Sequence, residues 1–178
     1  LEALSLLLKY DITNAEIGFN SGLIKKLCAG INYFSHSDSV INKTFGCLAC
    51  MCTSKNRVGQ LISCPEYEGL IKLIVELIGD SEKNKLSRGS AIKAVYELLK
   101  TEDEDIIKDI SCKTSIVDNL YKIMGEYQAD LSIVQDCSRC LAIIVDYVNI
   151  EEIMKVDKYT PMKVLLECLN KSKNDELT

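Results

Sequence analysis

The chain has 178 residues, 47% hydrophobic and 26% charged, with a formal net charge of -5 and a pI near 5.0. That length can bury roughly 70% of its unfolded surface around one core, and the composition is that of a globular protein, not a disordered one. The acidic balance, without any run of five or six like charges, argues against a nucleic-acid binder, whose phosphate contacts need a lysine and arginine surplus.

Apolar runs of only a few residues fall far short of the roughly 20 that span a bilayer, so no membrane role is expected. Nine cysteines, an odd number, sit among apolar residues instead of punctuating loops. They read as reduced thiols, which places the chain in the cytoplasm or nucleus. The sequons at Asn42 and Asn170 then have no meaning. A start at Leu1 without methionine makes a piece of a longer protein the expectation.

Glycine and proline are scarce, 9 and 2, and apolar residues recur at helical spacing with no alternating run that would make a strand. In chain order, ALSLLLK from Ala3 opens on a small residue followed by an apolar stripe, and GLIKKLCAGI from Gly22 carries a second stripe at Ile24, Leu27 and Ile31. Ser37-Asp38-Ser39 offers N-cap side chains for a helix reaching about Thr53, which contains CLACMCT from Cys47. A shorter helical piece follows at VGQLISC (58 to 64), then GLIKLIVELI from Gly69. The charged stretch Asp80 to Lys85 reads as a loop and helix start. Next come AVYELLK from Ala94, a second charged stretch from Thr101 to Asp105, IIKDISC (106 to 112) and SIVDNLYKIM from Ser115. CLAIIVD from Cys140, a loose IEEIMKV (150 to 156) and TPMKVLLECL from Thr160 complete the pattern. Pro161 stands where a first helical turn tolerates it, and residues 171–178 form a polar tail.

These segments repeat. The ALSLLLK-type element recurs at offsets of 44, 47 and 46 residues, and the GLIKKLCAGI-type element at 47, 46 and 45. Three helices per unit, one short and two longer, with a period of about 45 residues, resemble the armadillo repeat or its relative the HEAT repeat. The resemblance implies an all-α, right-handed solenoid of about four three-helix repeats, entered at a third helix. Residues 1–170 would form one domain, with units roughly at 1–10 (partial), 11–53, 54–100, 101–147 and 148–170 (partial). Both ends of such a stack expose apolar faces unless further repeats cover them.

The cluster FGCLACMC (45 to 52) is the strongest chemical signal, and the repeat accounts for it. With Cys47 at zero on a helical wheel, the columns of Leu48 (Leu4, Val95, Leu141), Met51 (Leu7, Leu98, Ile144) and Cys52 (Leu8, Leu99, Val145) fall at about 100°, 40° and 140°, one apolar face. Cys47 edges that face in a column of Ala3, Cys47, Ala94 and Cys140, always small, as close helix approach requires. Cys47-x-x-Cys50 and Cys137-x-x-Cys140 mimic halves of a zinc site, but with helices 8 to 10 Å apart they sit roughly 16 to 20 Å from each other, against zinc-sulfur bonds of about 2.3 Å. No metal or other cofactor is expected. The lone histidine, His36, falls in a loop, and neither a phosphate-binding glycine loop nor a paired-carboxylate motif occurs, so no catalytic residues are assigned.

Cys50 differs from its neighbours, since it points nearly opposite the core face in a column of Leu6, Cys50, Glu97 and Ile143. In armadillo proteins the third helices line a concave groove, and the resemblance places this column on its floor. Importin- and catenin-like members carry an asparagine ladder there and tryptophans one turn earlier. This chain has neither, its preceding-turn column being Glu2, Gly46, Lys93 and Arg139, so nuclear-signal binding by that mode is not implied. Two readings stand for the outward apolar positions: a partly hydrophobic groove, or residues covered by solenoid curvature or a neighbouring repeat.

Flanking the groove are Lys9, Lys43, Lys93, Lys100 and Arg139 against Glu2, Glu97, Asp136 and Asp146, a net +1, with Tyr10, Tyr96 and Tyr147 at or near the rim. The expected site is therefore Leu6, Lys43, Cys50, Lys93, Glu97, Arg139 and Ile143. Its expected ligand is a mildly acidic protein or peptide segment, an amphipathic helix included. The function so expected is a non-enzymatic protein-interaction module within a scaffold, adaptor or chaperone-like protein. The alternative is a structural spacer that self-associates through its repeat ends.

Overall fold

The computed structural model describes residues 1–147 except positions 11, 35, 53, 54, 84, 113 and 114. The expectations for IEEIMKV, for the Thr160 element with Pro161 and for the 171–178 tail lie outside the described residues. Ten helices make up the described chain: α1 (Glu2–Tyr10), α2 (Ile12–Asn20), α3 (Leu23–Tyr33), α4 (Asp38–Met51), α5 (Lys55–Ile62), α6 (Tyr67–Gly79), α7 (Lys85–Leu99), α8 (Glu104–Cys112), α9 (Ser115–Glu126) and α10 (Leu131–Ile144). The fold is all-helical and of the armadillo-like solenoid type.

The longer helices form because their apolar residues fall on one side. In α3, α6 and α9 the columns Ile24/Ile71/Val117, Leu27/Ile74/Leu120 and Ile31/Ile78/Met124 are all buried, the i, i+3, i+7 stripe of a core-facing helix. Helix α2 carries two asparagines and a glycine in nine residues and has only a weak apolar stripe. Gly22 then turns the chain from α2 into α3 with φ +69°, a left-handed conformation that a β-carbon disfavours.

Helix ends are set locally. Asp103 accepts from the amides of Asp105 (3.2 Å) and Ile106 (3.4 Å) at the start of α8, and Asp130 from those of Ser132 (3.1 Å) and Ile133 (3.3 Å) at the start of α10. Ser37 occupies the N-cap of α4 but makes no side-chain cap hydrogen bond. Asp38 beside it instead accepts from the Ser87 hydroxyl at 2.8 Å, which ties α4 to α7. The repeated Ile-Ser-Cys tripeptides have a shared role: Ser63 and Ser111 each donate to the carbonyl four residues earlier, Gly59 and Ile107, near the ends of α5 and α8.

Helices α1, α4, α7 and α10 pack side by side in that order, with α3 against α4, α6 against α7 and α9, and α9 against α10. The expected core columns of these third helices are buried at Leu48, Val95, Met51, Leu98, Ile144, Leu8, Cys52 and Leu99. Leu4 and Leu141 are half-buried against the core, and two further members are exposed: Leu7 at 57% and Val145 at 41%. Helices α4, α7 and α10 each follow a second helix that covers the Met51-type column, and no such helix precedes α1 among the described residues. Val145 is the C-cap of α10, one residue past its end.

One buried position breaks the aliphatic pattern. Arg88 of α7, 1% exposed, stands where the repeat register puts Ile41 and Val134 in its neighbours. Its Nε donates to the Ile78 carbonyl at the end of α6 (3.1 Å), its Nη1 donates to Glu126 Oε2 at the end of α9 (2.5 Å), and its guanidinium lies 5.5 Å from the Tyr127 ring centre. A buried cation thus meets two helix C-termini, where carbonyls lack helical partners and the helix dipole favours positive charge.

Arg88→Ala is expected to cost about 3 kcal/mol in urea unfolding, because it strands the Ile78 carbonyl and Glu126 and opens a void; Arg88→Met, which keeps the stem and buries no charge, is expected to cost less than half as much. The Asp130 carboxyl is held below its ordinary value of 3.8, first by its hydrogen bond with Lys85 and then by the Ile133 amide. A depressed carboxyl contributes its stability above that value and loses it as the pH falls through the lowered one. Asp130→Ala should therefore destabilise by about 1 kcal/mol at neutral pH, with the gap shrinking as thermal melts are taken at progressively more acid pH.

Candidate functional site

The outward face of the third helices is a stripe at helical spacing: Ser39, Lys43, Gly46 and Cys50 on α4; Leu86, Ser90, Lys93 and Glu97 on α7; Ser132, Asp136, Arg139 and Ile143 on α10. None of these twelve side-chain positions is fully buried. Of the residues expected from the sequence, Leu6 on α1 is 52% exposed, Lys43, Lys93 and Arg139 are exposed, and Glu97 is half-buried. Cys50 and Ile143 are half-buried and pack against the edge of the core.

Glu97 and Arg139 are brought together around Tyr96. The Arg139 guanidinium lies 5.5 Å from the Tyr96 ring centre and the Lys100 ammonium 5.8 Å from it, both within cation-aromatic range. Glu97 pairs with Lys100, and Arg139 lies 3.5 Å from Asp136 Oδ1. Lys93 joins this group through a cleft that Asp136 also lines. Leu6 is not part of it, since α1 lies two helices away from α7.

The cleft, of about 230 Å³, opens between the first halves of α7 and α10. Leu86, Gly89 and Lys93 on one side face Ser132, Ile133 and Asp136 on the other, and the Lys85 to Asp130 ion pair lies at its rim. Ser90 in its wall donates to the Asn42 amide oxygen of α4, so three successive third helices are linked there. Leu86, Ser90 and Ser132 were not among the expected site residues. Their signal was present, because they lie one to two turns earlier on the same stripe as Lys93 and Arg139.

Four thiols are held away from the thiolate form by their surroundings. Burial is the first cause that raises Cys47 and Cys64, raises Cys140 well above the usual thiol value, and pushes Cys28 up to about 11. A reactive cysteine needs the opposite shift, toward thiolate at neutral pH. Burial, followed by the neighbouring Asp109 carboxylate, likewise raises the Tyr67 phenol. His36 lies exposed in the turn between α3 and α4. No helix among the described residues is long and apolar enough to cross a membrane.

Comparison with protein families matches the GAC ARM domain over residues 1–178. The chain belongs to this family of armadillo-type helical repeats. No curated protein matches the sequence. An ARM domain is, in type, a protein-interaction or scaffold module and generally non-catalytic, which directs attention to protein partners.

Native-state alkylation at pH 7 with mass mapping is expected to leave Cys47, Cys52, Cys137 and Cys140 unmodified, because all four are buried. Rapid modification of Cys47 together with Cys50 would contradict the helix faces assigned to α4.

Proposed function

We propose that this ARM domain is a non-enzymatic interaction module that takes a partner segment along the outward stripe of α1, α4, α7 and α10, as part of a scaffold, adaptor or chaperone-like protein. The observation that supports the reading best is the stripe itself, which runs over consecutive packed helices without one fully buried member on α4, α7 or α10. Leu6, Lys43, Cys50, Lys93, Glu97, Arg139 and Ile143 are the contact residues of this proposal. Lengths of 11–53, 54–100 and 101–147 are proposed as its repeat units, each a short helix followed by two longer ones. A reducing compartment, cytoplasm or nucleus, suits it, since Cys28, Cys47 and Cys140 are free thiols. An overall charge of -5 disfavours nucleic acid as the partner.

The spacer alternative has one observation in its favour, the exposure of Leu6, Leu7 and Ile17 at the α1 and α2 end. Such apolar residues suit end-to-end contact between copies. Sedimentation against concentration separates the two readings. Random twelve-residue peptides displayed on phage and selected on the chain are expected to yield binders that protect α4, α7 and α10 amides from hydrogen exchange, with Ile143→Asp weakening them at least tenfold at a temperature where the variant's circular dichroism is still fully helical, since some thermal stability is lost with a half-buried side chain. If the chain instead dimerises with increasing concentration, Leu7→Asp abolishes the dimer and no peptide binds, the spacer reading replaces the first.

A further inference from the structure

We propose that the cleft between α7 and α10 is the anchor subsite for one acidic-plus-apolar pair of side chains on an extended partner segment, the carboxylate on Lys93 and the apolar group between Leu86 and Ile133. The proposal rests on the interaction reading above and narrows it to one place and one ligand chemistry.

Charge selects the acid. Both cleft carboxylates are already neutralised: Asp130 is paired with Lys85 and also accepts two amides, and Asp136 is paired with Arg139. Lys93 is exposed and has no ion-pair partner among the described residues. An incoming cation would meet Lys93 with no carboxylate to spare. An incoming anion meets an uncommitted ammonium, and the other charges at the cleft cancel once Arg139, the partner of Asp136 outside the wall, is counted.

Size selects a side chain over a larger ligand. At about 230 Å³ the cleft is smaller than the roughly 300 Å³ at which small-molecule pockets begin, which suits one side chain and a little backbone. The apolar seat is supplied by Leu86, 66% exposed at the mouth, and Ile133 in the wall. Gly89 keeps it open: a β-carbon there would stand 3.6 Å from Ile133 Cδ1, an ordinary contact, so a larger residue fits the backbone but fills the cleft.

Spacing selects the motif. Leu86 and Lys93 are seven residues apart on one helix, about 10 Å of rise. An extended peptide in the polyproline II form, with three residues per turn and about 3.1 Å of rise, sets side chains three positions apart on one face, about 9 Å from each other. The segment that fits therefore carries an aspartate or glutamate three positions from a leucine, isoleucine or methionine.

The test uses the twelve-residue phage library, with the strongest sequences synthesised and titrated against the full chain and three variants. The expected result is enrichment of an acidic residue three positions from an apolar one, with affinity falling about tenfold in Lys93→Glu and Gly89→Leu and weakening as salt is raised. Both substitutions are at positions that tolerate them, and unchanged helical circular dichroism checks this. Gly89→Leu is further expected to raise the thermal midpoint, because it removes a glycine from a helix interior, so loss of binding there is not loss of fold. Basic consensus sequences overturn the cleft assignment, as do binders indifferent to Lys93→Glu and Gly89→Leu yet lost in Ile143→Asp; the groove reading survives the second case. Failure to enrich any peptide overturns both.

Discussion

Successive third helices meet at a small side chain, and the rest of the molecule is arranged around that close approach. Cys47 Sγ on α4 lies 3.6 Å from the Leu1 carbonyl, and Cys140 Sγ on α10 lies 3.8 Å from the Ile92 carbonyl of α7. In each case the thiol, a weak donor, reaches the carbonyl two residues before the small residue of the preceding unit, Ala3 or Ala94. Ala94 fills the intervening position, buried, with no donor at all. The constraint is therefore size, with the sulfur contact an addition to it. A leucine in this column would push the helices apart by more than a well-packed core tolerates.

Close approach in this column fixes the register of the outward faces. Because each third helix is held against the last at the same point in its length, residues about 46 positions apart come side by side, which is how Ser90 reaches Asn42 and Ser87 reaches Asp38. The second helices keep the same relation through a different device. Asn119 of α9 donates to the Val75 carbonyl of α6 at 3.3 Å, and the amide fits because Gly79 lacks a side chain: a β-carbon there would lie 2.7 Å from Asn119 Nδ2.

Much of this was legible because repetition let one unit check another. The columns of α3, α6 and α9 are readable as core from the sequence, since three independent stretches agree on apolar residues at the same places. Where repetition fails, legibility fails with it. Leu7 and Met51 are equivalent in sequence but not in surroundings, and a column has no means of recording which members have a neighbour to cover them. Arg88 was invisible for a related reason: in a sequence it is a cation amid a mixed helix, and only the three-dimensional meeting of Ile78, Glu126 and Tyr127 makes its burial tolerable. The outward stripe was read at Lys93, Glu97, Arg139 and Ile143 but stopped short of Leu86, Ser90 and Ser132, although these continue it by one to two turns toward the helix starts.

The pairing of charges on that stripe decides what kind of recognition it can support. A surface whose cations are matched by carboxylates within a turn, as with Lys100 and Glu97 or Arg139 and Asp136, projects little field beyond a few ångströms, particularly at physiological salt. It cannot draw a partner from a distance as a strongly charged groove does. Discrimination must then come from contact, where the uncommitted ammonium of Lys93, the Tyr96 ring with its two cations and the cleft differ from the matched charges around them. Association at such a surface is set by orientation more than by steering, and affinity by how slowly the seated side chains leave. A rigid stack of helices serves that regime well, because a cleft between two helices keeps its shape only as long as the small-residue contact beneath it holds them in register.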